Sequence, residues 1–447
     1  ATKDRPVRVK FTNKLDTGEG GDLFLPVDTT YMGAGYGPLG MMPGDPMYTQ
    51  NRAVVHLHGG KTVWISDGTP HQWITPAGEN TPYPKGVSVH NVPDMPDPGD
   101  GSVTLFYSNQ QSARLLWYHD HAYGITRLNV LAGEAAGYFI TDDAEKQLIA
   151  DKVIPEDQIP LIIQDKTFVD ASTIATTDPT WNWGSTPGTP HTGDLWFPHV
   201  YVPAQNPAMI DGVNPTGRWH YGPWFWPPTD VPNGPVANPY FVSAELTPWE
   251  NPTMPGTPDN SSGMEAFQDT PIVNGTAYPT VNVDPKSYRL RILNAASDRF
   301  FNLQMYVADP NTISCDGRRD TEVKMLPAAA TAGWPADWPV DGREGGVPDP
   351  KTAGPDWIQI ASEGGFLPQV AVIKQQPITW VTDVTLFNAG NVDKHSLLVA
   401  PAERADVIVD FSKYAGKTLI LYNDSPAAFP AGASRRCWST RGRNGST

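Results

Sequence analysis

The chain has 447 residues and a formal net charge of −16, with 32 Lys and Arg set against 48 Asp and Glu. That acidic balance excludes a nucleic-acid or anionic-membrane partner, which needs clustered cations, and no apolar run approaches the roughly 18–20 residues of a membrane-spanning helix. Pro (46) and Gly (41) make about a fifth of the chain and only 18% is charged, a punctuation that fits many short strands joined by turns and an all-β fold.

The sequence opens Ala1-Thr2-Lys3-Asp4, the kind of start that a cleaved signal peptide or a trimmed chain leaves, so a secreted or periplasmic address stays open. Residues 6–13 (PVRVKFTN) alternate apolar and polar as a half-buried strand does, and 53–58, 103–107, 114–119 and 136–140 follow with turn signals between them. Residues 143–158 are charged and hold the only helical turns expected in the first third, which makes 143–160 a linker between a first domain (1–142) and a second (161–430). Within the second lies an insertion, about 170–265, rich in Pro and carrying Trp181, Trp183, Trp196, Trp219, Trp224, Trp226 and Trp249. So much aromatic surface predicts an ordered segment packed on a neighbour. Strands resume at 271–275 and 288–294 and close with 405–412 and 417–424. The strand 288–294 (YRLRILN) echoes 7–13 (VRVKFTN), as two β-domains that begin alike would. Residues 431–447 form a basic, Ser/Gly-rich tail expected to be disordered, with Arg435, Arg436, Arg441 and Arg443 and no acid.

The two cysteines, Cys315 and Cys437, permit at most one disulfide and show no zinc-ligand spacing. The ten histidines carry the stronger signal. Four of them form two His-X-His pairs, His56-Leu57-His58 and His119-Asp120-His121. On a strand, residues i and i+2 project from one face, so each pair presents two imidazoles side by side. Two such pairs among ten histidines are improbable by chance, and neutral imidazoles suit Cu, Zn, Ni or Fe. His71 reads as a hydrogen-bonded core histidine, and His90, His191, His199 and His220 as structural. His395 reads as a strand or loop residue. Met41, Met42 and Met47 in GMMPGDPM read as packing in a Pro/Gly loop rather than a thioether copper site.

The motifs around the pairs carry a family resemblance. HLHGG (56–60), DGTPHQW (67–73), WYHDH (117–121) and GEAAGYFI (133–140) resemble the first cupredoxin domain of multicopper oxidases, in the branch of phenoxazinone synthase, spore-coat laccase and bilirubin oxidase. RILNAASDRFFNLQ (291–304), EGGFLP (363–368) and AERADVIVDFS (402–412) resemble its second. The likeness runs from residue 5 to residue 430 and implies tandem cupredoxin-like Greek-key β-sandwich or barrel domains. In that family eight histidines hold a three-copper cluster that reduces O₂ to water, four from the first domain and four from the last. Carried over, His56 resembles the type 2 copper ligand, and His58, His119 and His121 resemble type 3 ligands. Asp67 resembles the acid that relays protons to reduced oxygen, beside its plainer reading as an Asp-Gly turn residue. Asp120 is expected to orient its flanking imidazoles or to face solvent.

The resemblance also marks departures. The family's blue type 1 copper needs a Cys with His five residues on, and here those positions are Asp320 and Gly442. The third domain is therefore expected to be absent, by a truncated or artificial ending, leaving a type 2/type 3 half-site and no type 1 site. The function implied is a copper-binding oxidoreductase that oxidises phenols or aminophenols one electron at a time and passes electrons to O₂. The alternative is a non-catalytic copper-binding or metal-free cupredoxin chain. A face left uncovered by the third domain is expected to promote a homo-oligomer.

Overall fold

The computed structural model describes residues 1–25, 27, 33–35, 37, 45–177, 181–196, 236–237, 240–243, 245–247, 253–254, 268–314 and 317–425. Cys315, Cys437, Met41, Met42, His199, His220, Trp219, Trp224, Trp226, Trp249 and the tail 431–447 lie outside the described residues. Among the described residues no helix is long and apolar enough to cross a membrane.

Contacts divide the chain into two units, both all-β sandwiches as the turn-rich composition predicts. Unit 1 comprises Ala1–Ser112, Leu116–Ile140 and Lys166–Thr270. Strand β1 (Val7–Thr12) alternates half-buried and exposed side chains and pairs antiparallel with β3 (Ser102–Tyr107), Val7 opposite Tyr107 and Thr12 opposite Ser102. A second sheet runs β2 (Val55–His58), β4 (Arg114–Asp120) and β5 (Ala135–Ile140), with β4 in the middle. Leu57, Leu116 and Ile140 from this sheet meet Val103, Leu105 and Tyr107 from the other, and burying both apolar faces in one core makes the sandwich. Beyond β4 the chain forms helix α1 (Thr126–Ala132), whose Leu128 and Leu131, three apart, bury one face against Val54 and Trp73. Gly133 ends the helix at φ 125°, where its N–H reaches the carbonyls of Asn129 and Val130. The expectation that 143–158 holds the only helical turns of the first third is thus corrected. A seven-residue helix with two buried leucines gives too short a period to stand out in sequence.

Unit 2 comprises Ala113–Leu115, Thr141–Asp165 and Pro271–Thr447. Its main sheet has seven strands in the order Thr276–Ala277, Thr270–Val273, Gln158–Lys166, Ser287–Asn294, Arg404–Asp410, Trp357–Ser362 and Gly365–Ile373. Gln158–Lys166 runs parallel to Ser287–Asn294, while Ser287–Asn294 and Arg404–Asp410 are antiparallel. A three-stranded sheet of Leu397–Val399, Phe301–Val307 and Leu419–Asn423 packs on it. The core between them holds Leu290, Ile292, Leu303, Val399 and Val407 around Trp357, whose Nε1–H donates to the Leu303 carbonyl at 3.1 Å. Helix α2 (Asp143–Ala150) belongs to this unit and is capped by Asp142, which accepts from the Glu145 N–H at 2.8 Å.

This partition corrects the expected boundaries. Residues 141–165 are part of unit 2 and not a free linker, because Gln158–Lys166 is a central strand of its sheet. The described residues of the segment from 166 to 270, expected inside the second domain, group with unit 1. Trp183 and Leu195 pack on the Leu25, Val54 and Trp73 core, and Trp181 and Trp196 close a smaller cluster with Val169 and Ile174.

Candidate metal centre

Pairing of β2 with β4 sets the site. The antiparallel register puts His56 opposite His119 and His58 opposite Trp117. Alternation turns Leu57 into the core, 2% exposed, and leaves both imidazoles of the first pair on the other face. His121, just past the end of β4, donates its backbone N–H to the Val54 carbonyl at 3.1 Å and so stays beside β2. The four rings converge. Centroids are 5.6 Å apart for His56 and His58, 5.4 Å for His56 and His119, 5.4 Å for His58 and His119, and 5.5 Å for His119 and His121. His56 and His121 stack at 4.6 Å. One nitrogen from each of His56, His58 and His119 lies within 4.8 Å of the others.

Backbone carbonyls fix which nitrogen is free. His56 Nδ1 meets the Asp67 carbonyl at 2.5 Å, His119 Nδ1 the Asp120 carbonyl at 2.5 Å, and His121 Nδ1 the Gly68 carbonyl at 3.0 Å. A carbonyl only accepts, so each Nδ1 carries the proton and each Nε2 is left as a lone-pair ligand. His58 Nδ1 and His119 Nε2 face each other at 3.2 Å. That separation suits two nitrogens sharing one ion at bond lengths of about 2.0–2.1 Å. The donor set, four imidazoles of which three hold a backbone carbonyl on the second nitrogen, fits copper.

Two of those carbonyls belong to one turn. Gly68 sits at φ +67°, and a Cβ there would meet the Val55 carbonyl oxygen at 2.0 Å. Only glycine permits this approach. Replacement of Gly68 by Ala is expected to cost about 1–3 kcal/mol, read by denaturant unfolding, since backbone rather than a pliable side chain must yield. Unchanged stability would contradict the packing described. The neighbouring Asp67 carboxylate accepts from Thr62 Oγ1 at 2.7 Å and stands 3.8 Å from His56 Nδ1, with its side chain 38% exposed.

Burial foremost, and then the neighbouring imidazoles, push His119 down to about 3. Burial and His56 lower His121 as well. The folded chain therefore refuses a proton at His119 that the unfolded chain accepts near the ordinary value of about 6.5. Its contribution to stability is present above that value and is lost as pH falls toward 3. Asp120, raised to about 6 by burial, acts with the opposite sign below 6, because the folded carboxyl takes its proton first. Comparing metal-free wild type with His119→Gln from pH 7 to 5 isolates the histidine. The variant's thermal midpoint is expected to fall less on acidification than the wild type's, and equal slopes would refute the assignment.

The structure thus brings His56, His58, His119 and His121 together and sets Asp67 at their edge. It places other residues differently from expectation. Asp120 neither bonds an imidazole through its carboxylate nor faces solvent: it is buried and accepts from the Val54 and Ala122 N–H groups, each at 2.9 Å. His71 is exposed, not in the core, with its ring 4.9 Å from that of Tyr123. His191 is an exposed residue beside Asp194, while His395 is a loop residue as expected and bonds the Ser396 carbonyl at 2.7 Å. Met47 is 40% exposed. Trp117 is the residue that the pattern of histidines conceals. Its ring stacks on His58 at 4.8 Å and lies 4.3 Å from His119, walling one side of the imidazoles. The period-2 rule gives this away, since Trp117 is two residues before His119 on the same strand.

No family model matches the chain. Among curated proteins, it is 28% identical to a laccase of Bacillus stratosphericus over 427 residues, covering 95% of this chain and 51% of that protein. It is 27% identical to a laccase of Bacillus subtilis (strain 168) over 429 residues, covering 95% of this chain and 50% of that one. A bilirubin oxidase of Albifimbria verrucaria is 25% identical over 356 residues, covering 77% and 37%. The chain spans about half the length of the two laccases.

Proposed function

We propose that this chain, which belongs to the multicopper oxidase family, binds copper through His56, His58, His119 and His121 as part of an oxidoreductase centre. The observation that carries the reading is the convergence of three ring nitrogens within 4.8 Å with His121 stacked on His56. Bound copper would supply one-electron redox chemistry and a site for O₂, with a phenol or aminophenol as the electron donor. The ligands divide as type 2 (His56) and type 3 (His58, His119, His121), and no type 1 ion is assigned, because neither Cys315 nor Cys437 has a histidine five residues on.

The chain's own residues contribute in distinct ways. The carbonyls of Asp67, Asp120 and Gly68 hold three rings with Nε2 forward. Trp117 excludes water from the flank of His58 and His119. Asp67, its Oδ1 accepting from Thr62 and its Oδ2 beside His56, is the carboxylate placed to relay protons to the site. A second reading, copper held without turnover, follows if these four imidazoles are the whole ligand set, since shared over two ions they average about two apiece, below the three protein ligands of an ordinary catalytic metal site. The copper-to-protein ratio of the purified chain, with oxidation of a phenolic dye under O₂, tests both. Copper with turnover supports the first reading and copper without it the second. A chain that takes up no copper ends both.

A further inference from the structure

The carboxylate of Asp120 is enclosed in unit 1 and does one identifiable job. Strand β4 ends at Asp120, and the chain turns away through Ala122, so the N–H groups of Val54 and Ala122 have no strand carbonyl to meet. Asp120 supplies both acceptors: Oδ1 takes the Val54 N–H and Oδ2 the Ala122 N–H, each at 2.9 Å. The Val54 peptide is gripped on its other side as well, because its carbonyl accepts from the His121 N–H at 3.1 Å. Val54 lies two residues before His56, and Ala122 one residue after His121. A closed ring of bonds therefore ties the start of one histidine pair to the end of the other. The Asp120 backbone joins in, donating to the Glu134 carbonyl at 3.2 Å while its own carbonyl receives His119 Nδ1–H. Behind it, the Asn129 side chain bonds the same carboxylate and the Arg52 carbonyl, the latter at 3.2 Å.

We infer that Asp120 is a positioning residue that sets the separation of the two imidazole pairs by serving as a double acceptor between β2 and the turn after β4. The inference rests on the reading of the four histidines as copper ligands. No other side chain of this size does the same: asparagine has the shape but presents an NH₂ to one of the two N–H groups, and a buried donor facing a donor is left unpaired. An effect on the imidazoles then follows without any contact between Asp120's carboxylate and a ring. Removal of an outer partner of a metal ligand typically weakens retention by about 10- to 100-fold, and that range is expected for D120N.

The experiment has two arms on folded protein, judged by circular dichroism. In the metal-free arm, the ring ¹⁵N resonances of His119 and His121 are expected to move in D120N, as the His121 Nδ1–H bond to the Gly68 carbonyl weakens; unmoved resonances overturn the inference. In the loaded arm, Cu(II) titration is expected to show retention about 10- to 100-fold weaker, with an altered electron-paramagnetic-resonance pattern. Retention and spectrum equal to wild type overturn the inference, since a merely structural role would lower the melting point and leave the folded protein's spectrum alone. Failure of wild type to retain copper condemns the ligand reading instead, and the metal-free arm still decides on Asp120. Should D120N not fold, Asn129→Ala withdraws one donor from the same carboxylate. A measurable shift of the His119 and His121 resonances supports the inference, and no shift overturns it.

Discussion

Alanine at His58 or His119 is expected to abolish copper retention, with affinity falling by more than the roughly 10- to 100-fold that loss of an outer partner produces. The reasoning is geometric. These two residues supply the facing nitrogens at 3.2 Å, and with His56 they form the one group of three potential ligands this close together among the described residues. Taking either away leaves a pair where there was a triad, and the remaining imidazoles cannot close around the vacated side because β2 and β4 are locked in register. His121→Ala is expected to follow, through loss of the ring stacked on His56 at 4.6 Å. His71→Ala is the comparison, since His71 is exposed and its ring contact is with Tyr123. The measurement is bound copper per chain after equilibrium dialysis. Copper content unchanged in His58→Ala and His119→Ala would remove the ligand assignment altogether.

The site's histidines were legible because a strand converts sequence spacing directly into geometry. An i, i+2 pair shares a face, so two such pairs on neighbouring strands need only the correct register to converge. The register itself was not legible. It depends on Asp120 and on where β4 stops, and those bonds join residues 66 apart in the chain. The allocation of 166–196 failed for a related reason. It directly follows a strand of unit 2, yet its tryptophans bury themselves in unit 1, and burial is settled by tertiary partners rather than by sequence neighbours.

The echo between 7–13 and 288–294 goes deeper than its apolar pattern. Asn13 and Asn294 end the matching stretches, and both are buried. The Asn13 side chain donates to the carbonyls of Asn51 and Ile74 at 2.7 and 3.1 Å and accepts from the N–H of Leu15, two residues on. The Asn294 side chain donates to the carbonyls of Arg299 and Val399 at 2.7 and 3.0 Å and accepts from the N–H of Ala296, again two residues on. Each asparagine thus closes a turn and staples it to two other segments. Seven residues of pattern pointed to two alike β-domains, and the shared asparagine device is the physical content of that likeness.

The buried charges of unit 2 give the second large effect. Arg289 and Arg291 lie on one strand at i and i+2, and their side chains are each 1% exposed. Two acids answer them. Arg289 meets Asp406 through Nε at 2.8 Å and Nη2 at 2.5 Å, a two-pronged bond, and Glu145 through Nη1 at 2.7 Å. Arg291 stands 3.5 Å from each of the same acids. Glu145 comes from α2, so the cluster also seats that helix on the sheet. Two positive and two negative charges balance, which is what makes their enclosure tolerable. Burial alone would press the Arg289 guanidinium down, yet the bonds and charge of Asp406, with those of Glu145, leave it raised. Removing one acid strands a cation that water cannot reach. Asp406→Asn is therefore expected to destabilise by about 3–5 kcal/mol, measured by denaturant unfolding. Pairing it with Arg291→Met, which removes one charge of each sign, is expected to recover part of that loss through a coupling of about 0.5–3 kcal/mol. A single variant within about 0.5 kcal/mol of wild type, the range of an ordinary surface change, would mean that water or a shifted helix relieves the charge and that the cluster does not hold α2 in place.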